Sequence, residues 1–75
     1  MNGYVVVVEG DEESGYSSYS PDLPGVVAAA ETLQETHALM REAMIAHIVY
    51  LRETGQTVPE PVTNARVTIV EVPAA

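Results

Sequence analysis

Glu9, Asp11 and Glu13 alternate along one short stretch, with Glu12 between the last two, and a local group of carboxylates can hold a hard cation. The spacing is not that of a calcium-binding EF-hand loop, whose central glycine and distal glutamate are missing here. A solvated hairpin tip accounts for the same residues more simply. His37 and His47 are ten positions apart, about 80° around a helix axis, so they do not form the i, i+4 pair a zinc site would use. Each is read instead as partly buried on a helix flank. Ser14, Ser17, Ser18 and Ser20 lack a nucleophile-elbow context and suit a half-exposed strand. "GDEESG" would present carboxylates where a phosphate wants amides. Met40 and Met44 read as core filler. No catalytic residue, metal ligand or cofactor site is assigned, and binding or assembly is the better class.

The elements that must position these residues form one domain, 1–75, with no separate DNA-binding domain expected. A chain of 75 residues buries only about 60% of the surface its unfolded form exposes, so its stability is marginal without a disulfide, a metal or a partner. It has no cysteine, which removes the disulfide and the thiolate metal site together. The start lacks a basic signal-peptide region, and "AMIAHIVYL" is about half the length of a membrane span. A cytoplasmic protein without membrane contact is expected. Eleven Asp and Glu against three Arg give a formal charge of −8, which repels phosphate backbones and attracts a basic partner. Direct nucleic-acid binding is therefore not expected.

"YVVVVE", 4–9, reads as a strand on its four consecutive valines, and "GDEESG" as the hairpin loop behind it. "YSSYS", 16–20, is a second strand, and "VVAAA", 26–30, a third. Between them lies "PDLPG", Pro21, Asp22, Leu23, Pro24 and Gly25, whose prolines fix φ at two points and exclude helix before each. Asp22 suits a turn former, its side chain bonding backbone amides between the prolines. Thr32 with Glu35 three positions on is a capping box. From Leu33, a stripe through His37, Met40, Met44, His47 or Ile48 and Leu51 runs at steps of three and four, predicting a helix to about Thr54 with Gly55 as its stop. "ARVTIVEV", 65–72, reads as a last strand, giving the order β-β-β-α-β.

In the first strand Tyr4, Val6 and Val8 oppose Val5 and Val7, and in the last Val67 and Ile69 oppose Val70 and Val72. Both sheet faces are thus apolar near the centre, while one helix covers one face. The helix is itself apolar on more than one side, at Leu39, Ala43, Ile45, Ala46, Val49 and Tyr50. This shortage of covering elements predicts a homodimer or a higher symmetric oligomer.

The stretch from 15 to 73 resembles the amino-terminal domain of the HicB antitoxins. Pro21 to Gly25 match that family's corner after an aromatic strand, Thr32 its helix start, "REAMIAHI" its R/K-E-A-I run, and Gly55 with "VPEP" its proline-rich exit. The resemblance implies an α+β, partial RNase H-like fold: a four-stranded mixed sheet with one helix on one face and the fourth strand beside the first. It implies no nuclease activity of its own. It further implies a partner, a small basic HicA-like toxin that cleaves mRNA and whose active surface the antitoxin occludes. Glu9, Asp11, Glu12 and Glu13 on the hairpin and Asp22 on the corner are the candidate toxin contacts, with a solvated loop and a turn role as their respective alternatives. The rival from another class is an orphan homo-oligomeric module that binds a small molecule or an unrelated protein.

Overall fold

The valine run at the amino end is paired as a strand only from Val7 onward, where β1 (Val7–Asp11) begins. The computed structural model describes residues 3–74; Met1, Asn2 and Ala75, the ends of the expected single domain, lie outside the described residues. A turn at 12–14 leads into β2 (Gly15–Tyr19), the corner at 21–25 leads to β3 (Val27–Ala30), and α1 (Leu33–Glu53) follows. All strand pairing is antiparallel, in the order β1-β2-β3. The expected three strands and helix are therefore present, with β1 starting three residues later and ending two residues later than the expected 4–9.

The expected fourth strand is not. Residues 65–72 pair with nothing, and Val67 and Ile69 are 98% and 90% exposed. The sheet has three strands rather than four, and one edge of β1 stays open. An alternating apolar pattern specifies a surface that would suit a sheet, but it does not say which edge supplies the ladder. Here the chain is tied down only as far as Thr63. Beyond it residues 64–74 are all exposed, and the chain as a whole measures 52 Å along its long axis and 26 and 24 Å across.

The core is Leu23, Val26, Met40 and Leu51, with Tyr4, Val6, Ala28, Ala43, Met44, Ile48 and Val58 packed around it. Leu23, from the corner, is wholly buried. Three hydroxyls share this interior and each is satisfied: Ser18 Oγ donates to the Ala28 carbonyl, Ser20 Oγ to that of Val5, and Thr36 Oγ1 to that of Thr32. The stripe on α1 is real from Met40 to Leu51, but its first turn is different. Thr36 is fully buried where His37 and Leu33 were expected to face inward, and both of those are exposed. Threonine tolerates that burial because its hydroxyl bonds back to the preceding turn. His47 is half-buried, as expected of a flank position, and its ring lies 6.4 Å from that of Tyr50.

Both ends of α1 are chemically closed. Thr32 is the N-cap, its Oγ1 accepting from the Glu35 amide at 3.1 Å. The reciprocal half of the capping box is replaced: the Glu35 carboxylate accepts from the Thr32 hydroxyl, at 2.9 Å, instead of from the Thr32 amide. At the far end the Gln56 amide donates to the Leu51 carbonyl and that of Gly55 to Arg52, the two bonds of a Schellman motif around the left-handed Gly55.

A candidate protein-docking face

The β1–β2 hairpin is shaped by a glycine and an aspartate. Gly10 sits at φ +127°, and a Cβ there would lie 2.1 Å from the Gly15 carbonyl oxygen, so no other residue fits. Asp11 Oδ1 accepts from the Glu13 amide at 3.0 Å and from the Ser14 amide and hydroxyl at 2.8 Å each. The Ser14 amide first, and then its hydroxyl, hold the Asp11 carboxyl below its ordinary pKa. Asp11 thus builds the turn, while Glu9, Glu12 and Glu13 stand exposed around it. Among the described residues no three carboxylate or imidazole groups converge as a metal would require.

Register sorts the sheet into two unlike faces. Val8, Ser18 and Ala28 are aligned across the strands on the side that α1 covers, where Ser18 is buried. The opposite face carries the row Val7, Tyr19, Val27, then the row Glu9, Ser17, Ala29, then Asp11 beside Gly15. No element of the described chain covers it, and Tyr19 and Val27 are 44% and 72% exposed. The face therefore grades from apolar at the corner end to acidic at the hairpin end. A shallow depression of about 700 Å³ lies at the acidic end, with Glu9 and Glu31 among its lining residues.

Asp22 does not join this group. The corner follows Tyr19, which pairs with Val7 at the far end of β1 from the hairpin. Its carboxylate is spent inside the fold: Oδ2 accepts from the Val62 and Thr63 amides at 2.9 and 2.7 Å, and Oδ1 from the Thr63 hydroxyl at 2.8 Å. The Thr63 amide, followed by its hydroxyl, lowers the Asp22 pKa. Asp22 bonds backbone amides as a turn former does, but those of the exit segment rather than those between Pro21 and Pro24. The Tyr4 hydroxyl fastens the same segment by donating to the Pro59 carbonyl. Of the five candidate contacts, four share the hairpin and one clamps the chain elsewhere. Sequence reasoning did not find the outward row Val7, Tyr19, Val27 as part of the face. The register needed to align it depends on the hairpin turn, and a period-two count within each strand was the only signal for it. Thr63, 41 residues from Asp22, carries no local signal at all.

Pro21, Leu23, Pro24 and Gly25 act as architecture. The Leu23 amide donates to the Ser20 carbonyl to close the turn, Leu23 fills the core, and Gly25 takes φ +90°. No described helix is long and apolar enough to cross a membrane. Comparison with known proteins returned no matching curated protein and no matching solved structure. A family profile does match, over residues 4–71, which span all three strands, the corner, the capped helix and the clamped exit, and the chain belongs to the HicB-like antitoxins of bacterial toxin-antitoxin systems.

Proposed function

We propose that this chain neutralises a small, basic, RNA-cleaving toxin of the HicA type by covering its RNA-binding surface. The observation that carries this reading is the graded outward face. Glu9, Glu12 and Glu13 compete with RNA phosphates for the toxin's basic groups, while Val7, Tyr19 and Val27 supply apolar contact at the other end. A charge of −8 steers a basic partner onto that face and keeps nucleic acid off it. The protein acts by binding and not by catalysis, in the cytoplasm where mRNA is cleaved. It also associates with itself, since Leu39, Val49 and Tyr50 lie 44–56% exposed on α1 and outside the core.

The test is co-expression with the product of the adjacent small basic gene, followed by an RNA-cleavage assay on the purified mixture. A stable complex that suppresses cleavage is expected. Replacing Glu9, Glu12 and Glu13 together by Lys should weaken it at least tenfold and flatten its salt dependence, with the helical circular dichroism signal unchanged. Full inhibition by that triple variant would remove the hairpin from the reading. A wild-type protein that elutes without the toxin and leaves cleavage untouched would replace it with an orphan binding module.

A further inference from the structure

The described chain ends in an alternating apolar segment that pairs with nothing, and its sheet has an edge, at β1, that has no neighbour. Residues 65–72, "ARVTIVEV", place Val67 and Ile69 on one side and Val70 and Val72 on the other, all four 74–98% exposed. A groove of about 420 Å³ lies between the segment leading into β1, at Tyr4 and Val6, and the helix residues Met40, Met44, Ile45 and Ile48. Helix α1 packs over β3 and β2 and hardly over β1, which leaves room on the helix side of the β1 edge.

We infer that residues 65–72 of one copy add to the β1 edge of a second copy, laying alternate apolar side chains into that groove, and that the exchange is mutual. This deepens the self-association already proposed and does not depend on the identity of the toxin. Three observations favour a second copy as the occupant. Thr63 is clamped at the corner by Asp22, and the exposed residues 65–72, at about 3.3 Å each, reach about 26 Å when extended. The segment is thus held away from its own body and within reach of a neighbour. Arg66 and Glu71 leave it neutral in a chain of charge −8, so it is the part of the molecule that a second acidic copy repels least. The groove carries Arg41 and His37 and no carboxylate, which suits a neutral strand and disfavours a basic toxin. Each copy both gives and receives a strand, so the contact closes with two-fold symmetry and leaves no β1 edge open to further pairing.

Light scattering on the full chain tests this. The expected mass is twice the 8.0 kDa of one chain. Ile69→Asn with Val70→Asn, one polar group on each side of the strand and no change of charge, should halve it while the helix signal persists. Ile45→Arg, which blocks the groove, should halve it as well. An equimolar mixture of the two variants retains one intact strand and one intact groove, and native mass spectrometry should then find a heterodimer absent from either variant alone. A monomeric wild type would overturn the inference, including one whose 65–72 amides are protected from exchange by its own β1. A dimer unmoved by the double variant would overturn strand exchange while leaving toxin binding, read by the cleavage assay, intact.

Discussion

Leu23 should be the most costly single truncation in this protein. It is the one corner residue whose side chain is wholly buried, and it packs with Val26, Met40 and Leu51, the four buried apolar residues among those described. Leu23→Ala removes its buried methyl groups and leaves a cavity that the pinned corner cannot collapse into, because Pro21 and Pro24 restrict the backbone on both sides. Such changes cost about 2–5 kcal/mol. A chain of 75 residues has about 4–11 kcal/mol in total, so the loss is a large part of it. At about 4–8 °C per kcal/mol, a loss of about 3 kcal/mol lowers the melting temperature by about 12–24 °C. Urea titration followed by far-ultraviolet circular dichroism measures it, at two protein concentrations so that dissociation of an oligomer is separated from unfolding. Leu33→Ala is the matched control. That leucine opens the same apolar pattern but is 55% exposed, and its truncation should cost under about 1 kcal/mol. Equal midpoints for the two variants would refute the claim that the corner supplies the core.

Gly25→Val should destabilise more than Asp22→Ala: no atom lies within 4 Å of the new Cβ, so its cost is the φ of +90°, about 1–3 kcal/mol for a β-branched residue, and equal melting temperatures would contradict it. The clamp at the exit should be acid-labile. Asp22 has a lowered pKa in the folded chain, so its stabilising effect is present above the ordinary value of 3.8 and is lost as pH falls through the lower folded value. The Val62 and Thr63 amide resonances should therefore hold their bonded positions at mildly acidic pH and shift together only below 3.8, and in Asp22→Ala they should be released at every pH. Thr32→Ala should cost about 1 kcal/mol by removing the bond to the Glu35 amide, read as a shift of the denaturation midpoint.

What could be read in advance was what local chemistry decides. The helix from Leu33 to Glu53 was legible because its cap, its stop and its period lie in adjacent residues, and the two ends fall where Thr32 and Gly55 put them. The hairpin was legible because glycines bracket it. The first helical turn was not, because leucine and histidine fit the period as well as threonine does, and only the position of the sheet decides which of them is covered. The last strand was misjudged for a similar reason: Val67, Ile69, Val70 and Val72 satisfy every requirement of a strand except a neighbour, and a neighbour is a tertiary fact. Asp22 was recognised as a residue that bonds amides, but the amides it bonds, at Val62 and Thr63, are brought to it only by the return of the whole helix.

That clamp connects the two proposed contacts. The acidic hairpin lies at the Asp11 end of β1, and the corner, the exit and the entrance to the groove lie at the Val7 end. By fixing Thr63 at the corner, Asp22 commits the neutral segment to leave the molecule from the end remote from Glu9, Glu12 and Glu13. A second acidic copy then approaches at the end away from the hairpin carboxylates, and a basic toxin where they are concentrated, so the two partners do not compete for one surface. Loosening the clamp should consequently impair self-association before it impairs toxin binding. In Asp22→Ala the ends of 65–72 are no longer aimed, and a freed segment must give up more conformational entropy to dock. The dimer should dissociate at higher protein concentration than the wild type, while inhibition of RNA cleavage per chain stays the same. Parallel loss of both activities would mean that the toxin binds across the dimer, and that the two ends of the sheet are not independent.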